Sequence, residues 1–236
     1  AHMYVHIPIY APWRFLKSSV NGPYGAGVEC VDWSVGMLLF ELQRLGLDRN
    51  TLVIFASDNG ARGDRGGSNA PLSGRKATTA EGGQRVPCIL RWPGVLPAGQ
   101  VSSELATSMD FLPTLSLWAG AQPPADRPID GMDIRAVFAA QPGARNPRES
   151  FAYYMGSHFE ALRMGPWKYR FAREGRPARE LHHLGDDIAE RQNRFEQEPE
   201  VIRRMEAEIA RIREDIGDGL TGQSGRNCRP IGRVNN

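Results

Sequence analysis

Asp58-Asn59-Gly60, within TLVIFASDNGARGDR at residues 51–65, sets a carboxylate beside a carboxamide. Both are oxygen donors, a set that suits a hard cation such as Ca²⁺ or Mg²⁺ better than zinc. Asn-Gly is also a strong hairpin signal. A hairpin needs a second strand directly after the turn, whereas ARGDRGGSNAPLSGRK follows, polar, glycine-rich and without alternation. That favours a metal or ligand role over a plain turn. Two oxygen donors do not hold such an ion alone, so other ligands must come from elsewhere. A second candidate is Lys76, in SGRKATTAEGGQRVP. Small residues around two basic side chains let backbone and ammonium approach an anion closely, although a lone GRK is usually a solvated loop. His6, in Tyr4-Val5-His6-Ile7-Pro8, falls at the end of an expected strand. A single histidine in apolar context is more often a satisfied core residue than a functional one. His2 carries less weight still, and Arg226, Arg229 and Arg233 read as a basic terminus.

The surrounding elements place these groups. Val31, Val35, Leu38, Leu39, Leu42 and Leu45 recur at helical spacing between Val28 and Leu45, with Gly46 as a helix stop. Thr51 to Ala56 is continuously apolar, which predicts a strand covered on both faces in a parallel sheet. Asp58 and Asn59 then lie beyond the carboxyl end of a strand, where open α/β sheets bind ligands. Val86 to Trp92 predicts another strand, and Asp110 to Trp118 a short helix tolerating Pro113 in its first turn. Prolines and alanines mark residues 120–148 as a connection. Beyond it, aromatic-rich segments at 151–154, 159–164, 167–171 and 180–184, separated by glycine turns, predict an antiparallel meander. Pro199 opens a helix with Val201, Ile202, Met205, Ile209 and Ile212 on one face, stopped by Gly217 and set to cover that sheet. The expected division is an α/β portion over residues 1–140 and a sheet-plus-helix subdomain over 141–236.

Composition narrows the function classes. Of 236 residues, 41% are hydrophobic and 24% charged, an ordinary globular balance. A formal charge of +2 without a basic face gives no footprint for nucleic acid. Three scattered cysteines form neither a disulfide framework nor a CxxC pattern, and no apolar run approaches a membrane span. AHMYVHIPIYAP enters at once into an expected strand end without an initiator Met, so the natural N-terminus is expected to lie upstream.

Taken together these stretches resemble the sulfatase family, the metal-dependent sulfatases of the alkaline-phosphatase-like superfamily. The resemblance rests on Gly74, Lys76, Thr78, Thr79, Glu81, Gly82, Gly83, Arg85, Val86 and Pro87, followed by Trp92-Pro93-Gly94. It rests also on Asp32-Trp33-Ser34-Val35-Gly36, on Ser57-Asp58-Asn59-Gly60 and on Arg163 to Tyr169 with Asp186, Asp187 and Glu190. The Gly217-Asp218 to Arg229-Pro230 ending is similar to bacterial arylsulfatases.

The resemblance implies an α/β fold with a mixed or parallel sheet flanked by helices, incomplete here, plus the small C-terminal antiparallel sheet and its covering helix. It implies Asp58 and Asn59 as metal ligands, usually for Ca²⁺. Lys76 would contact the sulfate group and its bridging oxygen, and His6 would bind sulfate or assist the leaving group. The substrate it implies is a small-molecule or glycan sulfate ester, and an exported or lysosome-like compartment is the family's prior.

The family nucleophile is a formylglycine made from Cys or Ser in C/S-x-P/A-x-R, and Cys30, Cys88 and Cys228 all lie outside that pattern. The upstream acidic metal pair is absent as well. These residues alone are therefore expected to be catalytically incomplete and poorly soluble, with exposed strand edges and apolar faces. Two rival readings are a phosphodiesterase or phosphonate hydrolase of the same superfamily, and a non-catalytic anion-binding remnant.

Overall fold

The computed structural model describes residues 5–228. His2, Tyr4, Arg229, Pro230 and Arg233 lie outside the described residues. The chain divides into two compact units, each discontinuous in sequence. The first takes residues 5–57, 64–67 and 87–148, and the second takes 58–63, 68–86 and 149–228.

In the first unit, α1 (Trp13–Leu16) precedes the long α2 (Gly22–Arg44). The second helix starts ahead of the apolar stripe, with Pro23 in its first turn where a missing N–H costs nothing. It ends at Gly46, whose φ of 67° suits only a residue without Cβ. Ala26, Gly27 and Cys30 are its buried residues. The expected stripe is covered only in part: Val31, Val35, Leu39 and Leu42 are half-buried, while Leu38 and Leu45 stay exposed.

Strand β1 (Val53–Ala56) pairs with β2 (Cys88–Arg91), and the pairing is antiparallel, with Val53 opposite Arg91 and Ala56 opposite Cys88. This corrects the parallel neighbour expected from the apolar run. Such a run reports how much of a strand is to be covered, not which way its partner points. The long connection between the strands permits either direction. Phe55 and Ile89 remain exposed.

Farther on, α4 (Phe111–Trp118) follows a 3₁₀ turn at Ser108–Asp110 closed by a Thr107–Asp110 capping box. Asp110 is fully buried and also accepts from the Met132 amide (2.9 Å) and the Arg148 guanidinium (2.5 Å). Trp118 stacks on Phe138 of α5 (Arg135–Phe138).

The second unit has the better-filled core. Its sheet runs β3 (Ser150–Met155), β4 (His158–Met164), β5 (Trp167–Arg173), β6 (Arg176–His183) in that spatial order, all antiparallel, as the turn spacing predicts. Gly156, Gly165 and Gly175 supply the positive φ of its three turns. Against the sheet lies α6 (Pro199–Ile216), whose Val201, Ile202, Met205, Ile209 and Ile212 pack with Phe159, Leu162, Tyr169 and Leu181. A two-residue ribbon, β7 (Gly217–Asp218) with β8 (Gln223–Ser224), closes the helix end. The single-turn α3 (Glu81–Gln84) belongs to this unit too. Among the described residues, no helix is long and apolar enough to cross a membrane.

Candidate functional site

Asp58 and Asn59 occupy a turn in the second unit. Asp58 is exposed, and one of its oxygens accepts the Asn59 amide at 2.9 Å. Gly60 is buried, and its amide donates to the Gly83 carbonyl at 3.1 Å. A Cβ at Gly60 would fall 1.7 Å from the Gly82 oxygen, so no other residue fits without opening the turn. The Asp-Asn pair is thus held directly against the Glu81-Gly82-Gly83 backbone.

The Lys76 loop is tied to the same place. The Lys76 amide donates to the Ala61 carbonyl at 3.1 Å. The Asn69 carboxamide accepts the Ala61 amide (2.7 Å) and donates to the Ala61 carbonyl (2.7 Å) and the Gly74 carbonyl (3.2 Å). One side chain therefore pairs with the residue after the Asp-Asn turn as a neighbouring strand would, and also holds the start of the lysine loop. Within the loop, Thr78 Oγ1 donates to the Arg75 carbonyl (2.7 Å) and Gln84 donates to the Thr78 carbonyl (3.0 Å). Ala77 takes a φ of 64°, a left-handed conformation unusual for a residue with Cβ and of the kind found where a loop holds a group in place. Lys76 itself is half-buried.

Both feet of this loop are tied to the C-terminal half of the chain, through Glu190 and the sheet. Ser73 Oγ donates to Glu190, whose carboxylate also accepts the Glu81 amide (2.8 Å). Thr79 donates to Glu160 of β4 (2.9 Å). The Glu81 carboxylate accepts Lys168 Nζ of β5 (2.8 Å) and the Tyr153 hydroxyl of β3 (3.0 Å). Burial first, then the adjacent Glu81 carboxylate, push the Tyr153 hydroxyl well above its ordinary value, so it remains a donor. Lys168 also lies 3.1 Å from Glu190, which Arg170 contacts at 2.7 Å.

Sequence reasoning singled out Asp58, Asn59 and Lys76, and the second unit brings their loops together through the Gly60–Gly83, Lys76–Ala61 and Asn69–Ala61 bonds. It missed Asn69, which reads as an ordinary turn residue before Ala70-Pro71, and Lys168, whose apolar neighbours gave only a strand. His6 belongs to the first unit. It is exposed, and its Nδ1 lies 2.9 Å from the Ile7 carbonyl. Among the described residues no strand ends there: residues 5–8 form a turn and bend. Proline at 8 supplies no donor for a ladder.

The donor chemistry of Asp58 and Asn59 fits a hard cation as part of a sphere of about six to eight oxygens. Among the described residues, no cluster of three His, Cys, Asp or Glu side chains forms that could hold a metal by itself. The three cysteines are unbonded. Desolvation raises the Cys88 thiol, which works against a nucleophilic thiolate.

Known proteins similar to this chain are sulfatases. N-acetylgalactosamine-6-sulfatase of Mus musculus is 44% identical over 167 residues, covering 69% of this chain and 32% of its own length. Steryl-sulfatase of Mus musculus is 41% identical over 169 residues, covering 68% and 27% respectively. The crystal structure of PsFucS1 sulfatase from Pseudoalteromonas sp. superposes with a TM-score of 0.77 at 27% identity, over 89% of this chain and 47% of that one. The chain thus spans about a third of the length of these sequence relatives and about half of the solved structure. Its elements are part of the alkaline-phosphatase-like α/β fold, with the antiparallel sheet and covering helix at the C-terminal end. The Sulfatase family model matches residues 1–121, a stretch that includes Asp58, Asn59 and Lys76. This chain belongs to the sulfatase family.

Proposed function

We propose that the protein hydrolyses a sulfate ester to an alcohol or phenol and inorganic sulfate, with Asp58, Asn59 and Lys76 as this chain's contribution to the active centre. The observation that carries the reading is the backbone stitching of the Asp-Asn turn to the Lys76 loop, which sets oxygen donors and an ammonium on adjoining loops. Asp58 and Asn59 hold a divalent cation, Ca²⁺ in preference to Mg²⁺ because flexible all-oxygen sites favour the larger ion. When bound, that cation supplies electrostatic stabilisation of charge on sulfate oxygens.

Lys76 binds the sulfate and places its ammonium at the bridging oxygen, where negative charge develops as the ester bond breaks. The pinned backbone around Gly60 and Gly83 keeps that ammonium from reorganising as the charge appears. His6 is assigned to sulfate binding or to protonating the departing oxygen. The nucleophile is assigned to a formylglycine outside the residues described. The relatives are named for N-acetylgalactosamine and for a steryl group, so the substrate class proposed is a small-molecule or glycan sulfate ester.

The test compares the intact protein with K76A on 4-nitrophenyl sulfate and on 4-nitrophenyl phosphate. Turnover of the sulfate ester with kcat lowered by roughly a hundred- to a thousandfold in K76A is the expected result. Preferential turnover of the phosphate ester would move the reading to a phosphoryl-transfer hydrolase, and binding of inorganic sulfate without turnover of either ester to an anion-binding module.

A further inference from the structure

Lys168, Glu81 and Glu190 have side chains that are at most 1% exposed, and Arg170 is 3% exposed. Charged groups are almost never buried to this degree unless paired. Here two cations meet three carboxylates: Lys168 bridges Glu81 (2.8 Å) and Glu190 (3.1 Å), and Arg170 joins Glu190 (2.7 Å) to Glu180 (2.7 Å). Lys168 Nζ also lies 4.2 Å above the Tyr153 ring. A buried ionic cluster is seldom the most stable filling for a core, and its best-attested use is to specify one arrangement over others. The arrangement specified here is that of a loop. The Glu190 and Glu160 carboxylates reach residues 73, 79 and 81, three before and three or five after Lys76. Gly82 completes the closure by donating to the Ser73 carbonyl at 2.6 Å.

We propose that Lys168 and Glu190 are positioning residues for Lys76, and that the C-terminal sheet serves as the foundation of the anion-binding loop. The proposal rests on the sulfatase reading for what Lys76 does, and on the loop geometry alone for how Lys76 is held. Lys168 sets Glu81 at the loop's exit, while Glu190 grips Ser73 at its entry and the Glu81 amide at its exit. With both feet held, the tip at Arg75-Lys76-Ala77 keeps one conformation. A displacement of about 1 Å at such a tip is enough to cost roughly a hundredfold in rate.

The test uses the intact protein with S73A, S73T and K168M. Amide hydrogen exchange is followed in residues 74–78 and in α6, binding of inorganic sulfate by calorimetry, and turnover of 4-nitrophenyl sulfate well below the melting temperature. S73A should raise exchange in 74–78 and lower kcat and sulfate affinity by about tenfold, the factor one charge-assisted hydrogen bond is worth. KM should rise along with the loss of sulfate affinity and α6 should be unaffected, as expected when ordering of the loop rather than global stability is lost. S73T, which keeps the hydroxyl, restores all three. K168M should act in the same direction by about a hundredfold. Exchange in 74–78 at the unsubstituted level in both S73A and K168M overturns the proposal, as does a rise shared equally by α6. If exchange and sulfate binding respond as expected while the unsubstituted protein cleaves no sulfate ester, the positioning stands and the sulfatase reading falls.

Discussion

At the scale of single residues, Asn69 makes three side-chain hydrogen bonds on an inconspicuous sequence signal. Its carboxamide satisfies the Ala61 amide and carbonyl and reaches the Gly74 carbonyl. N69A leaves these groups to water or unpaired, so a loss of about 1–3 kcal/mol in urea denaturation is expected. N69D should be no better, since a carboxylate keeps the acceptor but sets negative charge against two carbonyl oxygens. Glu190 contributes to the acid response. Burial alone would raise its carboxyl, but the Lys168 ammonium and the Arg170 guanidinium outweigh it and bring the group below its ordinary value. A folded pKa lower than the unfolded value of about 4.3 gives stability that is fully present above that value. The contribution is lost as pH falls through the folded pKa. The melting temperature of E190Q should accordingly lie below the parent's at pH 7 and fall less steeply between pH 5 and pH 3, as scanning calorimetry would show.

At the scale of elements, the two loops of the site are held by close backbone approach. Gly60 and Gly83 both sit where a Cβ would strike carbonyl oxygens, Gly83 at 2.4 Å from that of Thr78. G60A should therefore cost about 1–3 kcal/mol, the range for overpacking. It should also weaken Ca²⁺ binding to the intact protein by displacing the Asp58-Asn59 turn, with isothermal titration as the check. Unchanged Ca²⁺ affinity in a folded G60A protein would remove Asp58 and Asn59 from the metal site. The sheet and α6 were legible in advance. The three turns of the sheet each hold a glycine with positive φ, and the five apolar positions singled out on α6 are the five it buries. The β1–β2 pairing was not legible, because strand direction depends on a partner more than thirty residues away.

At the scale of the whole molecule, apolar surface is distributed unevenly. Every large hydrophobic side chain that stays exposed among the described residues belongs to the first unit, including Trp33, Phe40, Leu38 and Ile89 at 46%, 56%, 61% and 62%. The nine-residue cluster beneath α6 belongs wholly to the second. Large exposed apolar side chains in such number favour association or a covering partner. The 236-residue chain by itself is expected to bind a hydrophobic dye and to sediment as more than one species at micromolar concentration. A monomeric, dye-silent preparation that melts cooperatively would contradict this.

The sequence by itself determined the family motifs, the helix and meander of the C-terminal half, and the chemistry of Asp58, Asn59 and Lys76, because periodicity, turn residues and donor type are local properties. The fold was needed to see that β1 runs antiparallel to β2, that His6 lies in a bend, that Asn69 bonds Ala61 and Gly74, and that Glu190 and Lys168 bond Ser73 and Glu81. The physical reason is separation along the chain. Lys168 meets Glu81 across 87 residues, and Ser73 meets Glu190 across 117, so neither contact leaves a periodic trace in the residues around it. A buried charge pair is invisible until the fold brings its two halves together.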